Sequence, residues 1–324
     1  MSESQSAKAL RSLVIPVYKN AENIASLVRA IEDMASRIEG ELEVVFVVDG
    51  SPDDSYRLLH ERLPSAKFRS RLIRHSRNFG SMSAIRTGLE HASADHIAVM
   101  SADLQEPIDL ILGFYRELSD PEVDVVVGTR VSRQDPWFTK FSSGVFWRFF
   151  SKSILKSMPS GGIDTFGCKR NVADVLLALR ESNSSLMAQV IWIGFRRREV
   201  PYARAKREEG RSAWSFRRRL KYMTDCVFSF TDMPIKFILM LGIFGTLFSI
   251  CLSVVVLGSW SLGYIQVPGY VPVVLLILFM LSANLLCFGI IGHYVWRTYE
   301  NSKGRPLGIA MSCLSIDGSK KENG

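Results

Sequence analysis

Three short polar strings carry the side chains best suited to chemistry, and two of them directly follow an apolar run. Asp49-Gly50-Ser51-Pro52-Asp53-Asp54-Ser55 follows Val44–Val48. Its carboxylates can accept hydrogen bonds from a base edge or from ribose hydroxyls, and Gly50 permits close approach. A turn and helix N-cap is the plainer account, since Ser51, Asp53 and Asp54 suit those places equally well. Ser101-Ala102-Asp103-Leu104-Gln105 follows the run His96–Met100. In extended chain Asp103 and Gln105 present oxygens to one side, and hard divalent ions such as Mg2+ take such donors together with substrate phosphates. A solvated loop leading into a helix at Pro107 is the alternative. Arg77-Asn78-Phe79-Gly80 opens a helix, where Arg77 and the free amides suit a phosphate; Asn78 as a simple N-cap fits as well. None of His60, His75, His91, His96 and His293 stands in a triad-like context.

These strings need elements to hold them. Leu13–Val17, Val44–Val48, Arg71–Arg74, His96–Met100 and Val123–Val127 read as strands. Helical stretches lie between them near Asn23–Arg37, from about Asp54, over Gly80–Ala92 and near Pro107–Leu118. Strands alternating with helices imply an α/β domain with a mostly parallel sheet covered on both faces. Ligands in such sheets sit beyond the carboxyl ends of the strands. Tyr18, Asp49, Arg77 and Asp103 all fall on or just past such ends.

The net charge of +8 is concentrated in one place, because eleven Lys or Arg stand against three Glu between Arg196 and Lys221. Two apolar runs follow, Ile235–Leu257 and Val271–Val295, joined by the turn Ser259–Tyr270. A bilayer-crossing helix needs roughly 20 largely apolar residues, so these runs predict two transmembrane helices. The flanking Lys and Arg place both termini in the cytoplasm of a two-span cell-membrane protein. The basic belt favours anionic membrane lipids over nucleic acid. Trp137–Met158 and Trp214–Phe230 mix aromatic with basic residues, which suits either core packing or an interfacial helix. Gly242 and Gly245 offer a packing surface for a homo-oligomer. The five cysteines form no metal-like spacing, and Met1–Arg11 has no apolar core segment, so neither a disulfide framework nor a signal peptide is expected.

Taken in order, several strings resemble the inverting family-two glycosyltransferases of GT-A fold. The closer likeness is to their polyprenyl-phosphate group, which includes dolichyl-phosphate mannose synthases and bacterial undecaprenyl-phosphate sugar transferases. They are Ile15-Pro16-Val17-Tyr18, Val48-Asp49-Gly50-Ser51, Arg77-Asn78-Phe79-Gly80, Ala102-Asp103-Leu104-Gln105-Glu106-Pro107, Gly128-Thr129-Arg130, Gly161-Gly162-Ile163-Asp164 and Arg207-Glu208-Glu209-Gly210-Arg211-Ser212. The resemblance implies a GT-A domain over residues 1–213, an amphipathic interfacial helix over 214–233, a transmembrane hairpin over 234–298 and a cytoplasmic tail over 299–324. It implies that Pro16, Tyr18, Asn20, Asp49, Ser51 and Arg77 bind the nucleotide, with Arg207 and Ser212 closing a loop over its phosphates. Asp103 and Gln105 would hold Mg2+ or Mn2+, and Asp164 would face the sugar. Arg130, with Lys140 and Arg148, would grip a lipid phosphate. The chain departs from the family in having Ser101 where an Asp is usual, Lys19-Asn20 after Tyr18, and Ala213 after the late-loop Ser212.

The implied reaction moves a sugar from a nucleotide diphosphate sugar to a polyprenyl phosphate with inversion, for cell-envelope glycan modification. A phosphate oxygen is already anionic at neutral pH and needs no general base, so the lack of a catalytic histidine is no obstacle. Asp103 and Arg130 would then carry catalysis by charge and alignment. A processive polysaccharide synthase is a rival, although its usual Gln-x-x-Arg-Trp string is missing at Gln189-Val190-Ile191-Trp192. A catalytically impaired lipid- or partner-binding membrane protein is another, prompted by Ser101.

Overall fold

The computed structural model describes residues 10–130, 159, 163–203, 224–225, 227–231, 233–262 and 269–317. Apolar runs form strands β1 (Leu10–Val17), β2 (Glu41–Val48), β3 (Arg69–His75) and β4 (His96–Val99), which lie parallel in the order β4-β1-β2-β3. Seven consecutive residues of β2 are buried, as expected where helices cover both faces. The sheet continues through β5 (Val125–Arg130), β6 (Phe166–Lys169), β7 (Arg197–Tyr202) and β8 (Ala310–Ile316). The full order is β7-β5-β6-β4-β1-β2-β3-β8. β6 is antiparallel to both β4 and β5, so β5 and its parallel neighbour β7 point the same way as β4. The carboxyl ends of β7, β5, β4, β1, β2 and β3 therefore share one edge.

Helices α1 (Ile24–Arg37), α2 (Ser55–Arg62), α3 (Ser81–His91) and α4 (Ile108–Leu118) fall where the sequence places them. In α1 the buried residues Ile24, Leu27, Val28, Ile31 and Met34 keep helical spacing and face a core built around Leu13, Ile15 and Phe46. α5 (Arg170–Ala178) and α6 (Leu186–Trp192) are tied to α3 by Arg86, which donates to Leu176 O at 2.5 Å and to Gln189 Oε1. Burial pushes the Arg86 pKa down, and the neighbouring charge of Glu181 opposes that only in part. Arg170 caps the other end of α3 by donating to Leu89 O and Ala94 O, each at 3.1 Å, and to Ala92 O.

The chain divides into two compact units, one of residues 1–218 with 305–324 and one of residues 219–304. β8 belongs to the first and runs antiparallel along β3, with Leu72 opposite Leu314. Residues Ala310–Ile316, within the stretch expected as a tail, thus supply an edge strand of the sheet. The second unit contains α7 (Met233–Ser261) and α8 (Tyr270–Ser302). Within it Arg297 donates to Ser229 Oγ at 2.5 Å and lies 3.6 Å from the Asp225 carboxylate.

The two C-terminal transmembrane helices read from the sequence require correction. Among the described residues no helix is long and apolar enough to cross a membrane. A spanning helix needs roughly 20 largely apolar residues in succession, and no succession of that length is found among the residues of α7 and α8 whose side chains are described. The expected localisation, a two-span cell-membrane protein with both termini cytoplasmic, is withdrawn with it. The stretches 137–158 and 214–223 lie outside the described residues.

Glu43 anchors the opposite edge of the sheet. It is 5% exposed, pairs with Arg71 at 3.0 Å and accepts from Ser12 Oγ at 2.6 Å and from Ser93 N and Oγ at 2.8 Å. Burial opposes its charge, but the two serines and Arg71 outweigh it and hold the carboxyl below its ordinary pKa. A lowered carboxyl pKa contributes stability above the unfolded value of 4.5, and that stability is lost as pH falls below it. Glu43→Gln should therefore cost about 1–3 kcal/mol at neutral pH. In urea denaturation repeated at successively lower pH, its gap to the native protein should narrow.

Candidate active site

At the shared edge the loops are tied to one another in sequence. After β1, Lys19 takes a positive φ of 56° and its amide donates to Ser51 Oγ at 2.7 Å. Asn20 N donates to Ser55 Oγ at 3.1 Å, and Ala21 N to Asp53 Oδ2 at 3.0 Å. Asn20 Oδ1 turns back to accept from Tyr18 N at 3.3 Å. Ser51 in turn donates to Asp53 Oδ1 at 2.6 Å. Burial works against the charge on Asp53, yet hydrogen bonds from Ser51, Ala21 and Ser55 hold its carboxyl below the usual range. Pro16 sits within β1 opposite Val47. Tyr18, Asn20 and Ser51 are thereby gathered into one cross-linked rim.

Asp49 turns out to be the bracket of the next loop. Only 2% exposed, it accepts from Phe79 N and His75 Nδ1 at Oδ1 (2.8 and 2.9 Å) and from Gly80 N at Oδ2 (2.8 Å). The carboxylate expected to meet a nucleoside thus holds the backbone that carries Arg77. Gly50 follows at φ +56°, with the 77–78 backbone pressed against it; a Cβ there would lie 2.3 Å from Arg77 C and 2.5 Å from Asn78 N. Arg77 remains exposed, its guanidinium 4.0 Å from the centre of the Phe79 ring and donating to Asn78 O at 3.1 Å. Helix α3 is capped at Gly80 with no side-chain cap hydrogen bond, so Asn78 is not its N-cap.

Past β4, Ser101 collects two acids. Its hydroxyl lies 2.6 Å from Asp103 Oδ1 and also meets Glu106 Oε2, while its amide donates to Glu106 Oε2 at 3.1 Å. Gln105 N donates to Asp103 Oδ1 at 3.4 Å, and Leu104 between them takes φ 53°. Glu106 is 3% exposed. Two carboxylates thus converge on one hydroxyl, and clustered oxygen donors are the kind a hard divalent cation takes. Among the described residues no group of three or more His, Cys, Asp or Glu is placed to hold a metal ion. Mg2+-type ions use one or two carboxylates plus substrate phosphates, and Asp103 with Gln105 fits that smaller requirement.

Arg130 closes β5 and pairs with Asp164, and Tyr202 at the end of β7 donates to Asp164 Oδ2 at 3.2 Å. Burial disfavours the Arg130 charge, but Asp164 and Tyr202 outweigh it and raise its pKa. Burial, together with Asp164 and Glu106, pushes the Tyr202 phenol up to about 12. The Arg130 group at the end of β5 and the Ser101 loop after β4 lie on the same sheet edge. Glu106 and Tyr202 were not among the residues read as functional. Glu106 follows Gln105 with nothing local to mark it, and Tyr202 carries no local signal because its place depends on pairing with β5. Lys140, Arg148, Arg207 and Ser212 lie outside the described residues.

An open α/β sheet with polar loops gathered at the carboxyl ends of its parallel strands presents its ligand-binding edge there. Residues 12–173 match the family described as Glycosyl transferase family 2. The chain is 31% identical over 299 residues to the putative glycosyltransferase CsbB of Bacillus subtilis (strain 168), covering 92% of this chain and 90% of that protein. It is 30% identical over 311 residues to the uncharacterized glycosyltransferase sll0501 of Synechocystis sp. (strain ATCC 27184 / PCC 6803 / Kazusa), covering 94% and 96%. Among solved structures it is similar to the mannosyltransferase PcManGT from Pyrobaculum calidifontis, in complex with GDP-Man and Mn2+. The TM-score is 0.47, identity 18%, and coverage 68% of this chain and 64% of that one. The chain belongs to glycosyltransferase family 2.

The contact at Gly50 is directly testable. Gly50→Ala places a side chain against backbone at a positive φ and should cost about 2 kcal/mol or more in urea denaturation. A neutral result would mean the 77–80 loop is not pressed against β2.

Proposed function

We propose that this glycosyltransferase moves a sugar from a nucleotide diphosphate sugar to a polyprenyl phosphate, with inversion at the anomeric carbon. The chief support is the Arg130–Asp164–Tyr202 group on the same sheet edge as Asp103. A fixed positive charge beside an acidic, metal-suited loop is what transfer between two phosphate-bearing substrates requires. Tyr18, Asn20, Ser51 and Arg77 line the nucleotide end of this edge. Asp103 and Gln105 would hold Mg2+ or Mn2+, which when bound neutralises charge on the leaving diphosphate. Arg130 holds the acceptor phosphate in line with the sugar, and Asp164 keeps the guanidinium aimed while leaving donors for that phosphate. The attacking oxygen is already an anion, so no side chain has to remove a proton.

A lipid acceptor is favoured over a soluble phosphate ester by the sequence resemblance to the polyprenyl-phosphate group.

The deciding experiment supplies radiolabelled UDP- and GDP-sugars to purified protein in detergent with undecaprenyl phosphate and Mg2+ or Mn2+. Label from one donor should enter the organic phase, and should vanish with EDTA or in Asp103→Ala. Arg130→Ala should lower kcat by about 10²–10³, the usual loss when one charge-stabilising donor is removed. Arg130→Lys should not restore it, because a lysine lacks the two-pronged donor geometry. Nucleotide binding without lipid label for any donor would sink the proposal and favour a non-catalytic role rooted in Ser101.

A further inference from the structure

His75, which showed no chemical context in the sequence, sits at the junction of three elements. It is 1% exposed at the end of β3. Its Nδ1 lies 2.9 Å from Asp49 Oδ1 and its Nε2 2.9 Å from Thr87 Oγ1 on α3. A carboxylate only accepts, so Nδ1 carries the proton; in the neutral ring Nε2 then accepts from the Thr87 hydroxyl. The imidazole also packs edge-on against Phe79, with ring centres 5.5 Å apart, and Phe79 is the ring beneath the Arg77 guanidinium. One side chain thus touches both supports of Arg77: the carboxylate that holds the Phe79 and Gly80 amides, and the ring on which the guanidinium rests.

The outer side of His75 is closed by a distant part of the chain. A Cβ at Gly308 would lie 2.9 Å from Thr87 Oγ1 and 3.1 Å from His75 Nε2 and Cε1. Ile309 O accepts from Ser76 N at 3.0 Å, and β8 then continues along β3. The contact needs a residue without a side chain at 308. The segment lies well beyond residues 12–173, the part matched to the family.

We propose that His75 is a positioning residue for Arg77 in the donor site, and that the C-terminal segment 305–316 completes that site by sealing His75 from behind. This rests on the donor reading given above, in which Arg77 meets the nucleotide diphosphate. Were His75 only a core residue, its loss would lower stability and affect all kinetic parameters together. As a positioning residue it acts on the donor alone.

The test compares His75→Leu, His75→Asn and Gly308→Val with the native full-length enzyme. Calorimetric binding of UDP and GDP, donor and acceptor KM, kcat and Tm would be measured for each. His75→Leu should weaken nucleotide binding and raise donor KM about ten- to a hundredfold, the span expected for one lost hydrogen bond to a charged group. kcat and acceptor KM should stay near native values. His75→Asn keeps an N–H donor for Asp49 and should recover most of the donor affinity at whatever Tm it has. Gly308→Val should reproduce the donor defect from the other side of the ring. Should His75→Leu not fold, hydrogen exchange at the Phe79 and Gly80 amides in Gly308→Val and His75→Asn gives the answer: faster in the former, near native in the latter. Leu and Asn variants that lose activity equally and in step with Tm, or an unmoved donor KM, would overturn the proposal. If the native protein binds neither nucleotide, the donor reading itself fails, and the role assigned to His75 fails with it.

Discussion

The carboxylate of Asp49 is the interaction on which the active edge depends. It ends a strand buried on both faces and accepts three hydrogen bonds, two from backbone amides and one from an imidazole. A buried carboxylate is tolerated only when its lone pairs are satisfied, and here the satisfaction does structural work. The amides it captures belong to the loop after the next strand, so the charge that must be stabilised is also what fixes Arg77. Gly50 allows the two backbones to meet, because no side chain stands between them.

The same logic recurs around the edge. Ser51 and Asp53 tie the loop after β2 to the loop after β1, and Ser101 draws Asp103 and Glu106 together after β4. Arg130, Asp164 and Tyr202 form the corresponding group at β5 and β7. Each loop is short and would be conformationally costly to order alone. Linked side chain to backbone, they present a preorganised polar surface on a rigid sheet, the condition under which electrostatics can favour a transition state. Ser101 is the centre of the loop after β4. Its hydroxyl brings in the Glu106 carboxylate from five residues on.

β8 changes what counts as the catalytic domain. The family match ends at residue 173, yet the sheet is finished by a strand that begins at residue 310. Through Ile309 and Gly308 that strand reaches the back of the same Asp49 network. The domain is therefore discontinuous in sequence, with the unit of residues 219–304 inserted between its two parts.

The sequence by itself determined the strands β1 to β5, the helices α1 to α4, the α/β class and the glycosyltransferase family. These are written in local signals: apolar runs of strand length, helical spacing in α1, and motifs set directly after strand ends. It also placed Asp103, Arg130 and Asp164 in strings that the fold carries to one edge. Apolarity misleads over the C-terminal runs, because their length and composition imply two spans that are not found among the described residues. Tertiary structure alone decided the rest. β6, β7 and β8 are short or half-exposed, with weak patterns of their own, and exist because neighbours offer them hydrogen-bonding partners. The roles of Asp49, His75 and Tyr202 were hidden for a related reason. Each depends on a partner far away in the chain, and the chemistry of a buried polar side chain is set by whichever group the fold places within hydrogen-bonding distance of it.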